Sequence, residues 1–319
     1  MEEIKLTKAD NIILKNIAYN SRIFEKKLAQ KCNLSKDSIR YRINRLEKLG
    51  VIQGYSNFID HKILGYKSFK LYIKLNATLE QRKGLIEFLS AQKEVFSIFE
   101  SHGNWDIGVA LFAKDNIGYY NFENKLLLKF GDIINSKNFC IMLDAKIINN
   151  NLIHKDKDIQ EFSVWEEGGS EKIDDKDRAL ISALNKNSRE TLVNLTGEVD
   201  LSIESISKRI KKLVEKKVIA FHSTNIDYGL LGFEKYKLFL YTKNYSNETE
   251  KKMFDFFKDI KNTINIIRII GPWKLEIEFL IKKHKDFEEI LSKTQGVFSE
   301  NIQKLEYFIF RNDTYFMNL

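Results

Sequence analysis

Sliding the chain along itself by 167 positions aligns residues 6–75 with 173–242 without a gap, and roughly 20 of those 70 positions are identical. Solenoid repeats run at about 20 to 50 residues, so a period this long marks a duplication of whole domains. Matched features include Asp10 with Asp177, Asn20-Ser21-Arg22 with Asn187-Ser188-Arg189, Leu34-Ser35 with Leu201-Ser202, and Leu64-Gly65 with Leu231-Gly232. After one inserted residue, Gly103-x-Trp105 falls on Gly271-x-Trp273, and the similarity continues into the second part of each copy. Residues 149–171 lie between the copies and carry Asn149-Asn150-Asn151, a run of charges and Gly168-Gly169-Ser170, the composition of a linker. Phe162 and Trp165 inside it are expected to dock on a neighbouring domain, since large aromatics are rarely left wet.

The start of each copy reads as three short helices. Ile12, Ile13, Ile17 and Leu28 recur at helical spacing, and Ile39, Ile43 and Leu46 fall at i, i+4 and i+7 after Ser35. Asp10 suits the first helix start, Ser35 is a good N-cap for the third, and Gly50 can take the left-handed turn that ends it. Residues 51–60 alternate weakly around Gly54 and suggest a short hairpin. Three helices and a hairpin make a winged helix-turn-helix, with Lys31-Cys32-Asn33-Leu34 as its turn.

With Ile39 inward, the third helix shows Asp37, Ser38, Tyr41, Asn44 and Arg45 outward, with Lys36 at its start and Arg40 and Arg42 on its flanks. Such a face fits a DNA major groove, where Arg and Asn pair with base edges and flanking cations hold phosphates. In copy two the matching helix shows Glu204, Ser205, Lys208, Lys211 and Lys212, flanked by Arg209. Lysine is a point charge, and this face suits phosphate better than bases. Residues 1–60 hold 12 basic and 7 acidic side chains, whereas residues 173–230 hold 10 and 9. The first module is therefore expected to be the stronger DNA contact. Lys217 stands where copy one has Gly50, which makes the second helix ending less favourable.

The second part of each copy alternates strands and helices. In copy one, residues 68–75, 95–101, 105–113 and 138–147 read as strands, and 79–91 and 117–130 as helices. In copy two the strands fall near 236–241, 264–270, 274–281 and 302–310, and the helices near 248–260 and 285–294. This is the ferredoxin-like β-α-β-β-α-β order, an α+β class. Its sheet carries helices on one face only, and the other copy's sheet is the natural cover for the second face.

These residues resemble the Lrp/AsnC, or feast/famine, family of transcription regulators. Asp10-x-x-Ile13-Leu14, Asn20-Ser21-Arg22, Leu28-Ala29, Leu34-Ser35, Ile39, Arg42-Ile43-x-x-Leu46-Glu47-x-x-Gly50-Val51-Ile52-x-Gly54-Tyr55 carry the likeness in the DNA-binding module. Leu64-Gly65 followed by a βαββαβ segment with Gly103-x-x-Asp106 carries it in the effector domain. The resemblance implies sheet-to-sheet dimers, operators with two half-sites, and a small effector, often an amino acid. In this sequence the effector would meet His102, Gly103, Asn104 and Asp106. In copy two Lys274 replaces the acidic residue, which disfavours an ammonium ligand there.

The expected organisation is thus a winged helix-turn-helix over residues 1–60, an effector domain over 61–148, a linker over 149–171, a second winged module over 172–228 and a second effector domain over 229–319. The tandem copies would form the family's dimer inside one chain, able to assemble further. Two enzyme-or-sensor alternatives share the architecture. One is a siroheme decarboxylase, with His102 and Arg268 as candidates to grip a tetrapyrrole. The other is a ligand-sensing co-regulator without DNA binding.

A net charge of +8 and a pI near 9.1 agree with an anionic partner. No phosphate loop, dinucleotide fingerprint or nucleophile elbow is present, and no cofactor is implied. His61, His102, His154, His222 and His284 fall at no metal-ligand spacing and read as ordinary surface or loop residues. Cys32 and Cys140 read as reduced core thiols of a cytoplasmic protein, Trp105 and Trp273 as core, and no apolar run is long enough to span a membrane.

Overall fold

The computed structural model describes residues 4–149, 160–166 and 171–315. Copy one runs α1 (Lys8–Ile17), α2 (Glu25–Cys32), α3 (Lys36–Lys48), β1 (Ile52–Ile59), β2 (Lys67–Leu75), α4 (Leu79–Ser90), β3 (Val95–Gly103), β4 (Ile107–Ala113), α5 (Asn116–Phe130) and β5 (Ile134–Asn149). A short β6 (Gln160–Val164) follows. Copy two repeats the order as α6 (Asp175–Lys186), α7 (Leu192–Val199), α8 (Ile203–Glu215), β7 (Ile219–Ile226), β8 (Glu234–Thr242), α9 (Asn247–Asp259), β9 (Thr263–Ile270), β10 (Leu275–Ile281), α10 (His284–Phe298) and β11 (Ile302–Tyr315).

Local chemistry sets the helix ends. Thr7 and Asp10 close a capping box on α1, and Asp174 and Asp177 close its counterpart on α6. Ser35 and Ser202 cap α3 and α8 by accepting the amides of Ser38 and Ser205. Asn33 and Asp200 end α2 and α7 in the left-handed conformation, which residues with short polar side chains tolerate. After α3 the same conformation falls to Gly50 at φ +75°, and after α8 to Lys217 at φ 58°.

The hairpin expected after α3 does not form within the module. Instead β1 runs antiparallel to β7 of the other copy, as a separate two-stranded ribbon. The reason lies in burial. Ile59 on β1 enters the core of α6–α8, while Leu231, just beyond β7, enters the core of α1–α3, and each helical module is closed by the other copy. The paired bonds obey the duplication, with Asp60 N–H donating to Val218 O and Asp227 N–H to Val51 O. Ser21 meets Ser188 at 2.6 Å and Ser56 meets Ser223 at 3.0 Å, each residue against its own duplicate. Contacts of that kind lie on a pseudo-twofold axis.

Each effector half has the strand order expected of its fold, β5-β2-β4-β3 and β11-β8-β10-β9. The two sheets do more than cover one another. β3 pairs with β11 and β5 with β9, so eight strands close into a ring and remove their open edges. The long strands make this possible. β5 pairs with β2 up to Met142, with β9 from Ile141 onward across a register shift between Met142 and Asp144, and with β6 from Ala145. β11 pairs with β8 up to Ile309 and with β3 from Phe308 onward, with a similar shift between Phe310 and Asn312. Helices α4 and α5 cover one outer face and α9 and α10 the other, while aromatic side chains fill the interior.

Part of the expected linker is structured. Gln160–Val164 is a strand beside β5, and Trp165, 8% exposed, donates its backbone N–H to Asp60. Phe162 stacks on Tyr19 and packs on Phe221, as its size suggested. Asn150, Asn151, His154 and Gly168-Gly169-Ser170 lie outside the described residues. His61 and His222 are not surface residues. His61 is buried with its ring stacked on Phe112, and His222 sits in the ribbon between copies, bonded to Asn57. Trp105, Trp273 and Cys140 are buried as expected. No helix among the described residues is long and apolar enough to cross a membrane, and no group of His, Cys, Asp or Glu among them could hold a metal ion.

Candidate nucleic-acid interface

Helix α3 buries Ile39, Ile43 and Leu46 against its module and turns its polar face outward. Tyr41 is 70% exposed, and Asn44 and Lys36 are also exposed. Ser38 is spent on the helix start, its amide and hydroxyl both bonded to Ser35. Arg40 is exposed but reaches Glu25 at 2.7 Å on α2 and Asp37 at 3.5 Å. Pairs this wet contribute little to stability, so Arg40 can be exchanged to a phosphate at small cost.

Arg42 has a different task. Its guanidinium donates to Asp10 Oδ1 and Thr7 Oγ1, each at 2.9 Å, pinning α3 to the first turn of α1. Asp10 is wholly buried. Burial alone would raise its pKa, but the Thr7 hydrogen bonds and then Arg42 outweigh it and hold the carboxyl below the usual carboxylate range. Arg45 approaches the same carboxylate at 3.5 Å. In copy two Arg209 repeats the pin on Asp174 at 2.8 Å and Asp177 at 2.6 Å. Arg42 and Arg209 are thus brought to the helix faces as flanking cations anchored to the scaffold, not as free base readers.

On α8 the exposed lysines are partnered along the helix, Lys208 with Glu204 at 2.7 Å and Lys211 with Glu215 at 3.7 Å. Ser205 gives its amide to the Ser202 cap, and Lys212 is exposed. The two faces therefore differ in kind. One presents a phenol, a carboxamide and arginines, the other lysines, of which Lys208 and Lys211 are paired with neighbouring glutamates.

Between the modules the fold assembles a basic depression that sequence reading did not foresee, lined by Arg22, Lys26, Lys36, Arg40 and Arg189. Arg22 bridges the copies by donating to the carbonyls of Ser188 and Glu190 at 2.7 and 2.9 Å. The repeated Asn-Ser-Arg triplets were the available signal, but only the pairing of copies brings Arg22 and Arg189 to one groove.

The expected effector loop divides. His102, Gly103 and Asn104 are exposed at the seam where β3 meets β11. Asp106 is committed elsewhere, its carboxylate accepting the Leu75 amide at 2.8 Å and facing Lys74 and Arg82 at 3.4 Å each. Arg268 is held by Asp144 and by Glu250 at 2.9 Å.

Comparison with known proteins matches residues 173–214 to an AsnC-type helix-turn-helix domain and residues 6–53 to a winged helix-turn-helix DNA-binding model. An uncharacterized HTH-type transcriptional regulator of Pyrococcus furiosus is 43% identical over 123 residues, 38% of this chain and 79% of that protein. One from Pyrococcus abyssi is 32% identical over 113 residues, 35% of this chain and 76% of that protein. Among solved structures, the siroheme decarboxylase NirDL in complex with an iron-uroporphyrin III analogue overlays 96% of this chain and 92% of its own, with a TM-score of 0.64 and 11% identity. That overlay shows a shared fold.

Proposed function

Because this chain belongs to the Lrp/AsnC family of helix-turn-helix transcription regulators, we propose that it binds double-stranded DNA as an intramolecular pseudo-dimer reading an operator with two unequal half-sites. The observation that carries this reading is the β1–β7 ribbon, which locks the two recognition helices together about the Ser21–Ser188 axis. Helix α3 reads bases through Tyr41, Asn44 and Arg45, with Lys36 and Arg40 on phosphates. Helix α8 grips phosphate through Lys208, Lys211 and Lys212. The basic depression at Arg22 and Arg189 lies beside the start of α3 and adds to its positive face. A two-fold symmetric homodimer must read a palindrome, whereas duplicated modules with different outer faces are free of that restriction. An effector, an amino acid by the family resemblance, would meet His102, Gly103 and Asn104, with Asp106 shaping the loop from behind.

The test is selection of bound fragments from random duplex DNA by the full chain, followed by titration at several salt concentrations. The expected motif has one strongly specified half and one degenerate half, and affinity falls steeply with salt as counterions are released. A symmetric palindrome, or no duplex affinity at low ionic strength, sinks the proposal.

The full-length overlay with a siroheme decarboxylase favours a second reading, an enzyme acting on a tetrapyrrole. At 11% identity the overlay carries the fold alone. Arg268 is already paired with two carboxylates, and the interior cavity measures about 90 Å³, small for a macrocycle. A visible-range titration with an iron tetrapyrrole separates the readings, since a saturable band shift supports the enzyme.

A further inference from the structure

We propose that the barrel interior holds a second binding site, for one small, uncharged, planar heteroaromatic molecule that carries both a hydrogen-bond donor and an acceptor. The site is the cavity of about 90 Å³ at the end of the barrel facing the DNA-binding modules. An apolar cavity of about 150 Å³ admits benzene, so this one, at about 90 Å³, takes a single ring once its aromatic lining moves outward.

The cavity exists because the two copies diverged. Lys70 on β2 and its duplicate Lys237 on β8 both enter the barrel, yet both are neutralised from copy two alone. Glu276 on β10 lies 2.6 Å from Lys70 and 3.4 Å from Lys237, and Glu278 lies 2.9 Å from Lys237. Aligned on Gly103 and Gly271, the matching positions on β4 are Gly108 and Ala110. The Phe99 ring fills the first, where any Cβ would overlap it. Nothing fills the second, and Ala110 becomes a cavity wall where copy two has a glutamate. There is accordingly one such site per chain.

Its walls select the ligand. Phe96 and Phe112 lie stacked at 4.1 Å, and the Trp165 ring stands 6.0 Å from Phe96, so the lining is flat and aromatic. Two residues of this lining, Trp165 and Asp313, each carry a buried polar atom without a hydrogen-bond partner, the indole Nε1 and the carboxylate Oδ1. One is a donor and the other an acceptor. Leaving such groups unsatisfied is unfavourable, and a ligand offering the complementary pair relieves both. The charges around them are balanced. Lys235 pairs with Asp313 at 2.7 Å and Glu278 at 3.0 Å, completing three lysines against three carboxylates. An ionised ligand would unbalance this set, which is why the occupant is uncharged. Phe58 and Ile59, from the strand that ties the DNA-binding modules together, also border the cavity, and occupancy there bears directly on that strand.

The probe is 2-pyridone, a single ring with an N–H beside a carbonyl, titrated calorimetrically into the full chain. Saturable binding of one molecule per chain is expected, with benzene bound more weakly. Ala110→Leu fills the cavity and should weaken 2-pyridone at least tenfold while the melting transition is retained; Ala110→Val serves if the leucine variant does not fold. Asp313→Ala should weaken 2-pyridone but not benzene. Lack of saturation at millimolar 2-pyridone, or unchanged affinity in a folded Ala110 variant, overturns the site. Equal affinity for benzene overturns the donor-acceptor assignment. None of these readouts involves DNA, so they stand apart from the regulator reading.

Discussion

Replacing Arg42 by alanine distinguishes a scaffold pin from a base reader. In the wild type the guanidinium donates at 2.9 Å to a carboxylate with no exposed surface and at the same distance to the Thr7 hydroxyl. A charge-assisted hydrogen bond contributes about 1.5–3 kcal/mol, and orphaning one member of a buried pair costs about 3–5 kcal/mol. Here Arg42 is itself 27% exposed, Arg45 stands 3.5 Å from the same carboxylate, and Thr7 still donates to it at 2.7 and 2.9 Å. The loss should therefore fall near the lower bounds, at about 2–3 kcal/mol. For a urea slope of about 2–3 kcal/mol per M this moves the midpoint of the first module by about 1 M. Arg42→Lys keeps a charge but not the two-pronged donor, and should lose about 1 kcal/mol. Asn44→Ala provides the contrast. It touches no scaffold partner and should unfold with wild type, yet weaken operator binding by about 1–3 kcal/mol. The assays are urea unfolding followed by circular dichroism and a cold gel-shift titration in which every variant is folded. If Arg42→Ala unfolds with wild type while losing as much DNA affinity as Asn44→Ala, the pin is refuted and Arg42 reads bases.

Three further outcomes follow from the geometry. Burial, then the Arg22 charge, pushes His222 down to about 4 from its ordinary 6.5, so the unfolded chain takes up that proton first. Stability is complete above about pH 6.5 and declines as pH falls towards 4, by up to about 3 kcal/mol; His222→Gln should flatten this slope in thermal melts, and parallel slopes would contradict it. Lys217 holds φ 58° without being glycine, so Lys217→Gly should stabilise the second module by about 1 kcal/mol, seen as a raised urea midpoint, whereas Gly50→Ala should do the reverse to the first. Glu276 accepts from Tyr72 at 2.6 Å and Trp273 at 3.1 Å besides its lysines. Glu276→Gln should therefore lower stability by about 3–5 kcal/mol, and Glu276→Leu combined with Lys70→Met, which leaves Lys235 and Lys237 balanced by Glu278 and Asp313, should recover most of it. A Glu276→Gln melting curve that overlays wild type would show that the carboxylate does not hold the lysines.

Much of this molecule was legible in the sequence. The duplication, the cap at Ser35, the helix start marked by Asp10, the left-handed turn at Gly50 and the inward Ile39, Ile43 and Leu46 all follow from contacts within a few residues, where spacing alone decides geometry. The order of strands and helices in each effector half was readable for the same reason, since an alternating pattern needs only its own face buried. The contrast between α3 and α8 was also visible, because it resides in side-chain identity.

What the sequence left open concerns partners far apart along the chain. Residues 51–60 contain a strand but no instruction about its mate, and it was the core of the opposite module, open until Ile59 entered it, that drew β1 to β7 and not to a hairpin. Arg42 looked like a free flanking cation for phosphate because a helical wheel shows only its own helix, while Asp10 arrives from 32 residues away. His61 and His222 looked like surface residues until folding stacked His61 on Phe112 and set His222 in the ribbon between the copies. The unmatched Ala110 and the lysines balanced by one copy only gained meaning when eight strands closed around them. Short-range regularity is encoded in the order of residues, whereas burial, charge balance and the ownership of an edge are properties of surfaces brought together by folding, and here the edges and the cores of the helical modules were completed by the other copy within the same chain.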